Sequence, residues 1–477
     1  MTMMRTVLRL LSKYPVTNSL LVLLIPGISL KRWFALGGLG LIALALGIIF
    51  SLKISLGPSL YSFVGTLSLR DAPTIVRSGV FISIGVLLVG GASVKLFASL
   101  AGARSHRRDW PILDSLYVDR VLGSGPNIVV IGGGSGLPTL LRGLKHYTSN
   151  LTAVVTVADD GGSSGRLRSE LDIPPPGDIR NCLVALADSE VVMQQLMDFR
   201  FSTNGQLDGH SFGNILIAAL ASIGGDFYRG VEIAGQLLAI RGKVVPSTSS
   251  NVTLVGRTVS GQRLIGESRV GTANEQLRQV ALLPQDAPAH PDAKRAIEEA
   301  DLIVLGPGSL FTSIVPNLLV REIADAVSGA KGLRMYVCNV ATDPGETAGF
   351  SVADHVNAIR YYAGEHAVDI VIANDRIFQP HPDGYRGHPV ELVPPGASWD
   401  DEAVCVRADV IDEEKPTRHD SIKLAMVIAG AYRDHRGKRR RLPRRWQGLP
   451  RLSKAIGSGS SGNPESKLGS GAPQRTL

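Results

Sequence analysis

Short apolar segments that end in glycine-rich turns constrain the fold of this chain more than any other feature. NIVVI at 127–131 is followed by Gly132–Gly136, and DLIVL at 301–305 is followed by Gly306–Gly308. LTAVVTV at 151–157 also precedes a polar segment that is rich in glycine. Continuous apolar strands that alternate with helical stretches are typical of parallel sheets covered on both faces. The sequence therefore predicts an α/β fold with a doubly wound, mostly parallel sheet.

Two later apolar segments, at 333–340 and 368–373, extend the same series of predicted strands. Residues 252–267 differ, because apolar and polar side chains alternate there about Ser260 and Gly261. This alternation predicts a small antiparallel hairpin beside the main sheet.

The first 120 residues contain two uncharged segments that are long enough to cross a bilayer. Residues 33–52 and 78–94 carry no charged side chain, and a helix of about 20 residues spans the hydrocarbon core. Residues 19–30 are also apolar, but they are fewer and include Pro26-Gly27, which favours an interfacial or re-entrant segment. Residues 1–120 are therefore predicted to form a membrane-anchor region with two transmembrane helices.

The positive charges that flank these segments indicate an orientation. Five Lys or Arg residues precede the first segment, three lie between the two segments, and five follow the second within residues 95–120. Positively charged flanks tend to stay on the cytoplasmic side. A multi-pass protein of the cell membrane is therefore predicted, with both termini and the large domain in the cytoplasm.

The formal net charge of +8 conceals an acidic domain between two basic ends. Residues 1–120 carry a balance of +9, residues 431–477 one of +10, and residues 121–430 one of −11. This distribution does not indicate a nucleic-acid-binding protein, so nucleic acid is not expected as a partner. The basic segment 438–445 is expected either to contact anionic membrane lipid or to be solvated, within a disordered tail at 433–477.

The three cysteines argue against a domain stabilised by disulfides and against one stabilised by zinc. Cys182, Cys338 and Cys405 are too few and too far apart for a disulfide framework or a structural zinc site. A reducing environment is therefore expected for most of the chain.

The glycine-rich segments after two predicted strands are candidates for phosphate binding. Each lies between a strand and a helix, where backbone amides and the helix dipole favour an anion. The first has neither the dinucleotide-binding spacing nor the lysine of a Walker A loop, and a tight turn without a ligand is the alternative. The candidate residues are Gly133, Gly134, Ser135, Gly136, Gly306, Gly308 and Ser309.

Polar residues in three further segments are also candidates for ligand binding. ADDGGSSGR at 158–166 follows a predicted strand, and doubly wound sheets bind ligands outside the carboxyl ends of their strands. PPPGDIRN at 174–181 and HSFGN at 210–214 each open a predicted helix. A turn, a helix cap or a structural histidine is the alternative for single residues. The candidates are Asp159, Asp160, Ser163, Ser164, Arg166, Asp178, Arg180, Asn181, His210 and Asn214.

These segments, in this order, resemble those of the gluconeogenesis factor family, which is related to the 2-phospho-L-lactate transferases (CofD). The resemblance implies a Rossmann-like domain over residues 121–432 that binds a nucleotide-sugar. The strings that carry it are GGGSGLPTLLRGL at 132–144, TVADDGGSSGRLR at 156–168, PPGDIRNCLVALAD at 175–188, GHSFGN at 209–214, GPGSLFTSIVPNLL at 306–319 and CNVATDPGET at 338–347.

The resemblance also implies a ligand and a role. UDP-N-acetylglucosamine, or another nucleotide diphosphate ligand, is expected to bind without turnover and without a catalytic residue. The implied role is the control of cell shape and envelope precursors during growth on gluconeogenic carbon sources. A homo-oligomer is one alternative for the assembly.

Two enzymatic functions are open alternatives. The transferase relatives use Mg²⁺ to move a phospholactyl group onto a deazaflavin alcohol, and Asp160 and Asp178 would then be candidate metal ligands. Their early loop contains Asn-x-x-Asp-Asp, whereas ADDGGSSGR departs from it, which favours a binding protein. An NAD(P)-dependent oxidoreductase is favoured by Asp159 after the second strand, but the imperfect glycine spacing argues against it.

Overall fold

The computed structural model describes residues 30–52, 73–104, 122–188, 190–376, 388–391 and 403–436. Apart from Leu30, the predicted interfacial segment 19–30 lies outside these residues. The basic segment 438–445 also lies outside them, as does the rest of the chain after Arg436.

Two long apolar helices precede the α/β domain. Helix α1 is Leu30–Ser51, and helix α2 is Thr74–Arg104. Within them, Trp33–Ser51 and Ile75–Lys95 are long and apolar enough to cross a membrane. The chain therefore has two candidate membrane spans near its N-terminus.

Glycines bring these two helices close together. A Cβ atom added to Gly85 would lie 2.6 Å from Leu44 Cγ, and one added to Gly40 would lie 2.8 Å from Val89 Cγ2. Small residues of this kind allow the backbones of two membrane helices to approach each other. Large apolar side chains on the outer surfaces, such as Leu87, are exposed.

Ten strands are described in the α/β domain. They are β1 (Ile128–Gly132), β2 (Leu151–Val155), β3 (Lys243–Pro246), β4 (Thr253–Thr258), β5 (Arg263–Ile265), β6 (Leu277–Leu283), β7 (Leu302–Leu305), β8 (Leu333–Val337), β9 (Ile370–Asn374) and β10 (Val404–Ala408). Seven of them form one sheet in the order β10-β9-β8-β7-β1-β2-β3, and all its neighbouring pairs are parallel. The predicted mostly parallel α/β sheet is confirmed.

The direction of strand addition reverses between β1 and β7. From β1 the chain adds β2 and β3 on one side, whereas β7 pairs with β1 on the other side and β8, β9 and β10 follow outward. Connections between parallel strands are right-handed, so this reversal places helices on both faces of the sheet. Doubly wound sheets bind ligands at such a switch point, outside the carboxyl ends of the strands.

Helices and short turns connect the strands. A π-helical turn, Leu310–Ile314, precedes the helix Val315–Leu318, and a 3-10 turn, Glu365–Ala367, follows the helix Val352–Ala363. The helices are α3 (Gly136–Leu144), α4 (Gly162–Leu171), α5 (Gly177–Leu186), α6 (Glu190–Asp198), α7 (Phe212–Gly224), α8 (Phe227–Leu237), α9 (Glu267–Gly271), α10 (Pro291–Glu298), α11 (Val315–Leu318), α12 (Arg321–Ser328), α13 (Val352–Ala363) and α14 (Ser421–Arg436).

The small sheet contains more than the predicted hairpin. Strands β4 and β5 form the antiparallel hairpin, and β6 adds a third strand in the order β5-β4-β6. These strands and α9 belong to an insert, residues 247–290, between β3 and α10. The insert begins and ends at one place, because the His290 amide donates a 2.9 Å hydrogen bond to the Ser247 carbonyl.

The polar segment 158–166 is partly helical. Its first residues are irregular, but α4 begins at Gly162 and includes Ser163, Ser164 and Arg166. Gly162 has φ +49°, a left-handed conformation that glycine adopts without strain. The glycines therefore turn the chain into the helix.

Candidate functional site

The glycine loops after β1 and β7 lie against each other at the switch point. A Cβ atom added to Gly136 would lie 2.4 Å from the Pro307 carbonyl oxygen. A Cβ atom added to Gly308 would lie 3.4 Å from the Gly133 carbonyl oxygen. The absence of side chains allows this approach, so the two loops adjoin at the switch point, where doubly wound sheets bind ligands in a crevice. This place is called the crevice below.

The starts of α4 and α5 reach the same crevice. Asp178 Oδ2 accepts a 2.7 Å hydrogen bond from the Gly134 amide. A Cβ atom added to Gly177 would lie 2.4 Å from Ser164 Oγ and 3.2 Å from Asp159 Oδ2. Four segments that are distant in the sequence, those following β1 and β7 and those opening α4 and α5, therefore meet at one edge of the sheet.

Three helices begin at this edge without a side-chain cap. The N-cap residues of α3, α4 and α5 are Ser135, Gly161 and Pro176, and none makes a side-chain hydrogen bond to its helix. The first amides of a helix have no partner within it and carry a partial positive charge. The crevice is therefore suited to an anion such as phosphate.

Four carboxyl groups lie beside these amides, namely those of Asp159, Asp160, Asp178 and Glu267. Burial, together with the nearby charge of Asp159 and against the opposing effects of the Gly134 amide and Arg180, raises the pKa of Asp178 to about 6. Burial also raises the pKa of Glu267, as do the nearby charges of Asp159 and Asp178. Near neutral pH the crevice therefore carries less negative charge than four ordinary carboxylates would.

Asp159 and Asp160, like Asp178, accept hydrogen bonds from protein groups. Asp159 Oδ1 accepts a 2.8 Å hydrogen bond from the Gly161 amide. Asp160 Oδ1 accepts hydrogen bonds from the Ser268 amide at 2.9 Å and from Ser268 Oγ at 2.7 Å. Among the residues that the structure describes, no group of three or more His, Cys, Asp or Glu side chains could hold a metal ion. The magnesium ligands Asp160 and Asp178 therefore stay a prediction.

Arg180 belongs to a buried polar network. Its guanidinium donates to Ser211 Oγ at 2.7 Å and to Asn214 Oδ1 at 3.1 Å. It also donates to Asn181 Oδ1 at 2.8 Å and lies 3.4 Å from Asp198. Arg180 and Asn214 are buried, so the structure shows this arginine bonded to protein groups and not as a free cation for a diphosphate.

Ser163 and His210 extend the same network. Ser163 Oγ accepts from the Ser211 amide at 3.3 Å and from Asn214 Nδ2 at 3.2 Å, and it lies 3.1 Å from His210 Nδ1. Burial lowers the pKa of His210, and the charge of Arg166 lowers it further. Because Ser163 Oγ already accepts two hydrogen bonds, its one hydroxyl proton is left for His210 Nδ1, which is a structural role.

Arg166 is exposed but also has a partner. Its Nη2 donates a 2.7 Å hydrogen bond to the Asp208 carbonyl oxygen. This contact joins α4 to the segment before α7. Arg166 and Arg180, the two arginines among the candidate residues, therefore both have hydrogen-bond partners within the protein.

The amides after the second glycine loop are held by Glu346, which was not among the predicted residues. Its Oε2 accepts from the Phe311 amide at 2.8 Å and the Thr312 amide at 3.3 Å, and its Oε1 accepts from Thr312 Oγ1 at 2.6 Å. The Gly308 amide donates to Asn339 Oδ1 at 3.3 Å. The first glycine loop is therefore the better anion site. Glu346 and Asn339 both lie in the string CNVATDPGET, which is the signal that could have identified them.

A separate open cleft of about 560 Å³ lies between β6 and α13. Its walls include Arg278, Phe311, Phe350 and Tyr361. None of the predicted site residues lines this cleft, so the crevice is a different place on the molecule.

Comparisons with known proteins agree with this arrangement. Residues 128–393 match the family described as 2-phospho-L-lactate transferase CofD. The gluconeogenesis factor of Bacillus subtilis (strain 168) is 41% identical over 320 residues, which cover 66% of this chain and 100% of that protein. A relative from Nostoc sp. (strain PCC 7120), described as "Putative gluconeogenesis factor", is 41% identical over 433 residues, 87% of this chain and 93% of the relative.

A solved structure shows the same fold. The crystal structure of a UPF0052 family protein from Bacillus halodurans superposes with a TM-score of 0.58 at 41% identity, covering 64% of this chain and 98% of that one. The matched CofD region contains the crevice and the loops that form it. The chain therefore belongs to the gluconeogenesis factor family and carries a CofD-type domain.

Proposed function

We propose that this protein is a membrane-tethered regulator that binds a nucleotide-sugar in the crevice. The main support is the junction of two glycine loops at the switch point of the sheet, where α3, α4 and α5 begin without side-chain caps. Free amides at helix N-termini bind phosphates, and a pyrophosphate would lie across them. UDP-N-acetylglucosamine is the expected ligand, because the family resemblance implies it.

The negative charge of the domain makes the helix N-termini important for binding an anionic ligand. Residues 121–430 carry a balance of −11, which repels an anionic ligand at long range. The candidate arginines Arg166 and Arg180 are bonded to protein groups, as is Arg168, which lies near Asp159 and Asp160. Backbone amides are therefore the main local source of positive potential, and this favours recognition of the phosphates through the backbone.

The proposed cellular role is the one that the family resemblance implies. This protein would sense a nucleotide-sugar and control cell shape and envelope precursors during growth on gluconeogenic carbon sources. The helices α1 and α2 would hold the domain at the cell membrane, with both termini and the domain in the cytoplasm. The basic segment 438–445 would contact anionic lipid there.

Isothermal titration of the full chain in lipid nanodiscs tests this function. UDP-N-acetylglucosamine and UDP should bind saturably at one site, whereas uridine, which lacks phosphate, should bind at least about tenfold more weakly. The sugar nucleotide should be recovered unchanged by mass spectrometry. If none of a panel of UDP-sugars binds, the proposal is wrong.

The second candidate function is Mg²⁺-dependent phospholactyl transfer. Four neighbouring carboxyl groups favour it, namely those of Asp159, Asp160, Asp178 and Glu267. Carboxylates beside a pyrophosphate site could hold a cation that neutralises the phosphates. Incubation with nucleoside diphospholactate, a deazaflavin alcohol and Mg²⁺ should then give the phosphodiester product by mass spectrometry. If no product forms, this second function is wrong and the binding function stands.

A further inference from the structure

Ser313 lies in the π-helical turn that follows the second glycine loop, and this turn packs against the first glycine loop. A Cβ atom added to Gly134 would lie 3.0 Å from Ser313 Oγ. Cβ atoms added to Gly133 and Gly308 would lie 3.6 Å and 3.2 Å from Ser313 Cβ. Ser313 therefore lies between the two glycine loops, and its hydroxyl group is next to Gly134.

Two side chains hold this turn in position. Asn317 Nδ2 donates to the Ser313 carbonyl at 2.8 Å and to the Gly132 carbonyl, at the end of β1, at 3.2 Å. Glu346 accepts hydrogen bonds from two other amides of the turn. Ser313 is therefore fixed relative to β1, and such support from neighbouring side chains is typical of residues that bind a ligand.

The Ser313 hydroxyl has no hydrogen-bond partner among the described residues. The hydrogen bonds of Ser313 all involve its backbone, whereas the hydroxyl of the neighbouring Thr312 donates to Glu346 at 2.6 Å. Ser313 is only 4% exposed, and a buried hydroxyl without a partner is costly and rare. Its oxygen is not fully enclosed, unlike the unpaired Asn317 Oδ1. An acceptor from outside the chain can therefore reach it.

The first glycine loop offers two unpaired donors beside this hydroxyl. The Gly134 amide donates to Asp178, but the amides of Gly133 and Ser135, on either side of it, donate to no residue that the structure describes. Helix α3 begins at the next residue, and its N-terminus adds partial positive charge. One hydroxyl and two amides at one place are donors suited to the oxygens of a phosphate group.

We infer that the Ser313 hydroxyl donates a hydrogen bond to a phosphate group of the bound nucleotide, which the Gly133 and Ser135 amides bind from the other loop. This inference rests on the proposed function, because it assigns Ser313 to the same crevice. It adds a side-chain donor to a site where Arg166 and Arg180 are bonded to protein groups. It also explains why a buried hydroxyl has no partner within the chain.

Isothermal titration of Ser313→Ala, as the full chain in lipid nanodiscs, tests this role. A hydrogen bond to a charged group changes an equilibrium by roughly tenfold or more. We expect Kd to rise by about tenfold for UDP-N-acetylglucosamine and for inorganic pyrophosphate. The melting temperature of the ligand-free variant should stay within about 2 °C of that of the unchanged protein, because the lost hydroxyl makes no hydrogen bond in the protein.

Two controls separate ligand binding from structure. Ser222 is exposed on α7, and its hydroxyl donates to the Ala218 carbonyl at 3.2 Å. Ser222→Ala should therefore bind both ligands with the Kd values of the unchanged protein. Uridine should bind Ser313→Ala and the unchanged protein equally, because it lacks the group that Ser313 would contact.

The possible failures can be told apart. If the unchanged protein binds UDP-N-acetylglucosamine and Ser313→Ala binds it with the same Kd, the role of Ser313 is wrong and the proposed function stands. If Ser313→Ala weakens uridine equally, or melts several degrees lower, the hydroxyl is structural and the inference is also wrong.

Inorganic pyrophosphate distinguishes the phosphate site from the nucleotide function. If the unchanged protein binds pyrophosphate but no UDP-sugar, and Ser313→Ala weakens pyrophosphate by about tenfold, the proposed function fails but Ser313 still binds phosphate. If the unchanged protein binds neither, both proposals are wrong.

Discussion

The Asp178 carboxylate accepts a 2.7 Å hydrogen bond from the Gly134 amide, which joins the start of α5 to the glycine loop after β1. The Asp178 side chain thereby fixes the glycine loop after β1, whose other amides are proposed to bind the ligand. The same carboxylate adds negative charge where an anion is proposed to bind. The two effects can be separated by substitution.

Replacement of Asp178 by Asn should strengthen binding of UDP-N-acetylglucosamine in a pH-dependent way. The pKa of Asp178 is raised to about 6 by burial, so the carboxyl group is ionised at pH 8 and mostly protonated at pH 5. Loss of that charge should lower Kd by roughly fivefold at pH 8 and leave it nearly unchanged at pH 5. Isothermal titration at both pH values measures the difference.

Asp178→Ala is the companion variant. It removes the acceptor of the Gly134 amide and should reduce the free energy of unfolding by about 1–2 kcal/mol. Asp178→Asn retains an oxygen for that amide and should cost less. Weaker ligand binding by Asp178→Asn in the presence of Mg²⁺ would instead favour a metal at this carboxylate, as the transferase function requires.

Gly136→Ala should separate the two glycine loops. The new methyl group would lie 2.4 Å from the Pro307 carbonyl oxygen, and this backbone atom cannot rotate away. We expect a loss of about 2–3 kcal/mol in the free energy of unfolding and no measurable binding of UDP-sugars. Urea unfolding followed by circular dichroism measures the first effect.

Gly205→Ala is the control for this change. The closest atom to a Cβ at Gly205 is Thr203 Oγ1, at 4.0 Å. Stability and binding should stay close to those of the unchanged protein. Normal binding by Gly136→Ala would show that the junction of the loops is not part of the ligand site.

The strands that surround the switch point could be predicted because they are buried on both faces. All five residues of β1 are buried, so its apolar residues are continuous and the following glycines mark its end. The strands that were missed lie at the edges of the sheet. Strand β10 is mostly accessible, with Val404 exposed, and β3 begins at the exposed Lys243. The mixed burial of β10 gives a pattern that does not identify a strand. Strand β3 has only three buried residues, 244–246, which is too short a segment to identify one.

The partners of the site residues could not be predicted from local sequence. Ser268 is 108 residues from Asp160 along the chain, and the fold of the insert alone brings them together. Glu267 lies just after a short exposed strand, and nothing in the sequence around it indicates a carboxyl group that faces a crevice. Conversely, Arg180 was expected near a ligand because of its position, but the network that binds it depends on α7.

Arg180→Met should destabilise the domain strongly. The change retains an apolar side chain of similar length but leaves Asn214 Oδ1 and Asn181 Oδ1 without the donors they have now. We expect a loss of about 3 kcal/mol in the free energy of unfolding. The exposed pair Arg229–Glu232, 2.8 Å apart, provides the control.

Arg229→Met should change stability by less than about 1 kcal/mol, because exposed ion pairs contribute little. A small effect of Arg180→Met on stability, together with loss of UDP binding, would contradict the structural role. It would show that the arginine contacts the ligand directly.

Glu346→Gln should remove a pH dependence of stability. Burial raises the pKa of Glu346 from 4.5 to about 7, the hydrogen bonds from Thr312 and the Phe311 amide notwithstanding. The folded state therefore binds this proton more tightly than the unfolded state does. Stability contributed by the proton is complete below about pH 4.5 and is lost as the pH rises toward 7.

The difference in stability between the unchanged protein and Glu346→Gln reports the ionisation of Glu346 alone. Near pH 4.5 the stabilities should be similar, because glutamine resembles a protonated carboxyl group and can donate to Thr312 Oγ1 while accepting from the Phe311 amide. Above pH 7 the variant should be the more stable by up to about 3 kcal/mol. Urea unfolding from pH 4.5 to 8, with the exposed Glu298→Gln as control, gives the two curves. A variant that is less stable by a constant amount at every pH would mean that Glu346 is ionised throughout and that its charge strengthens the hydrogen bonds to the π-helical turn.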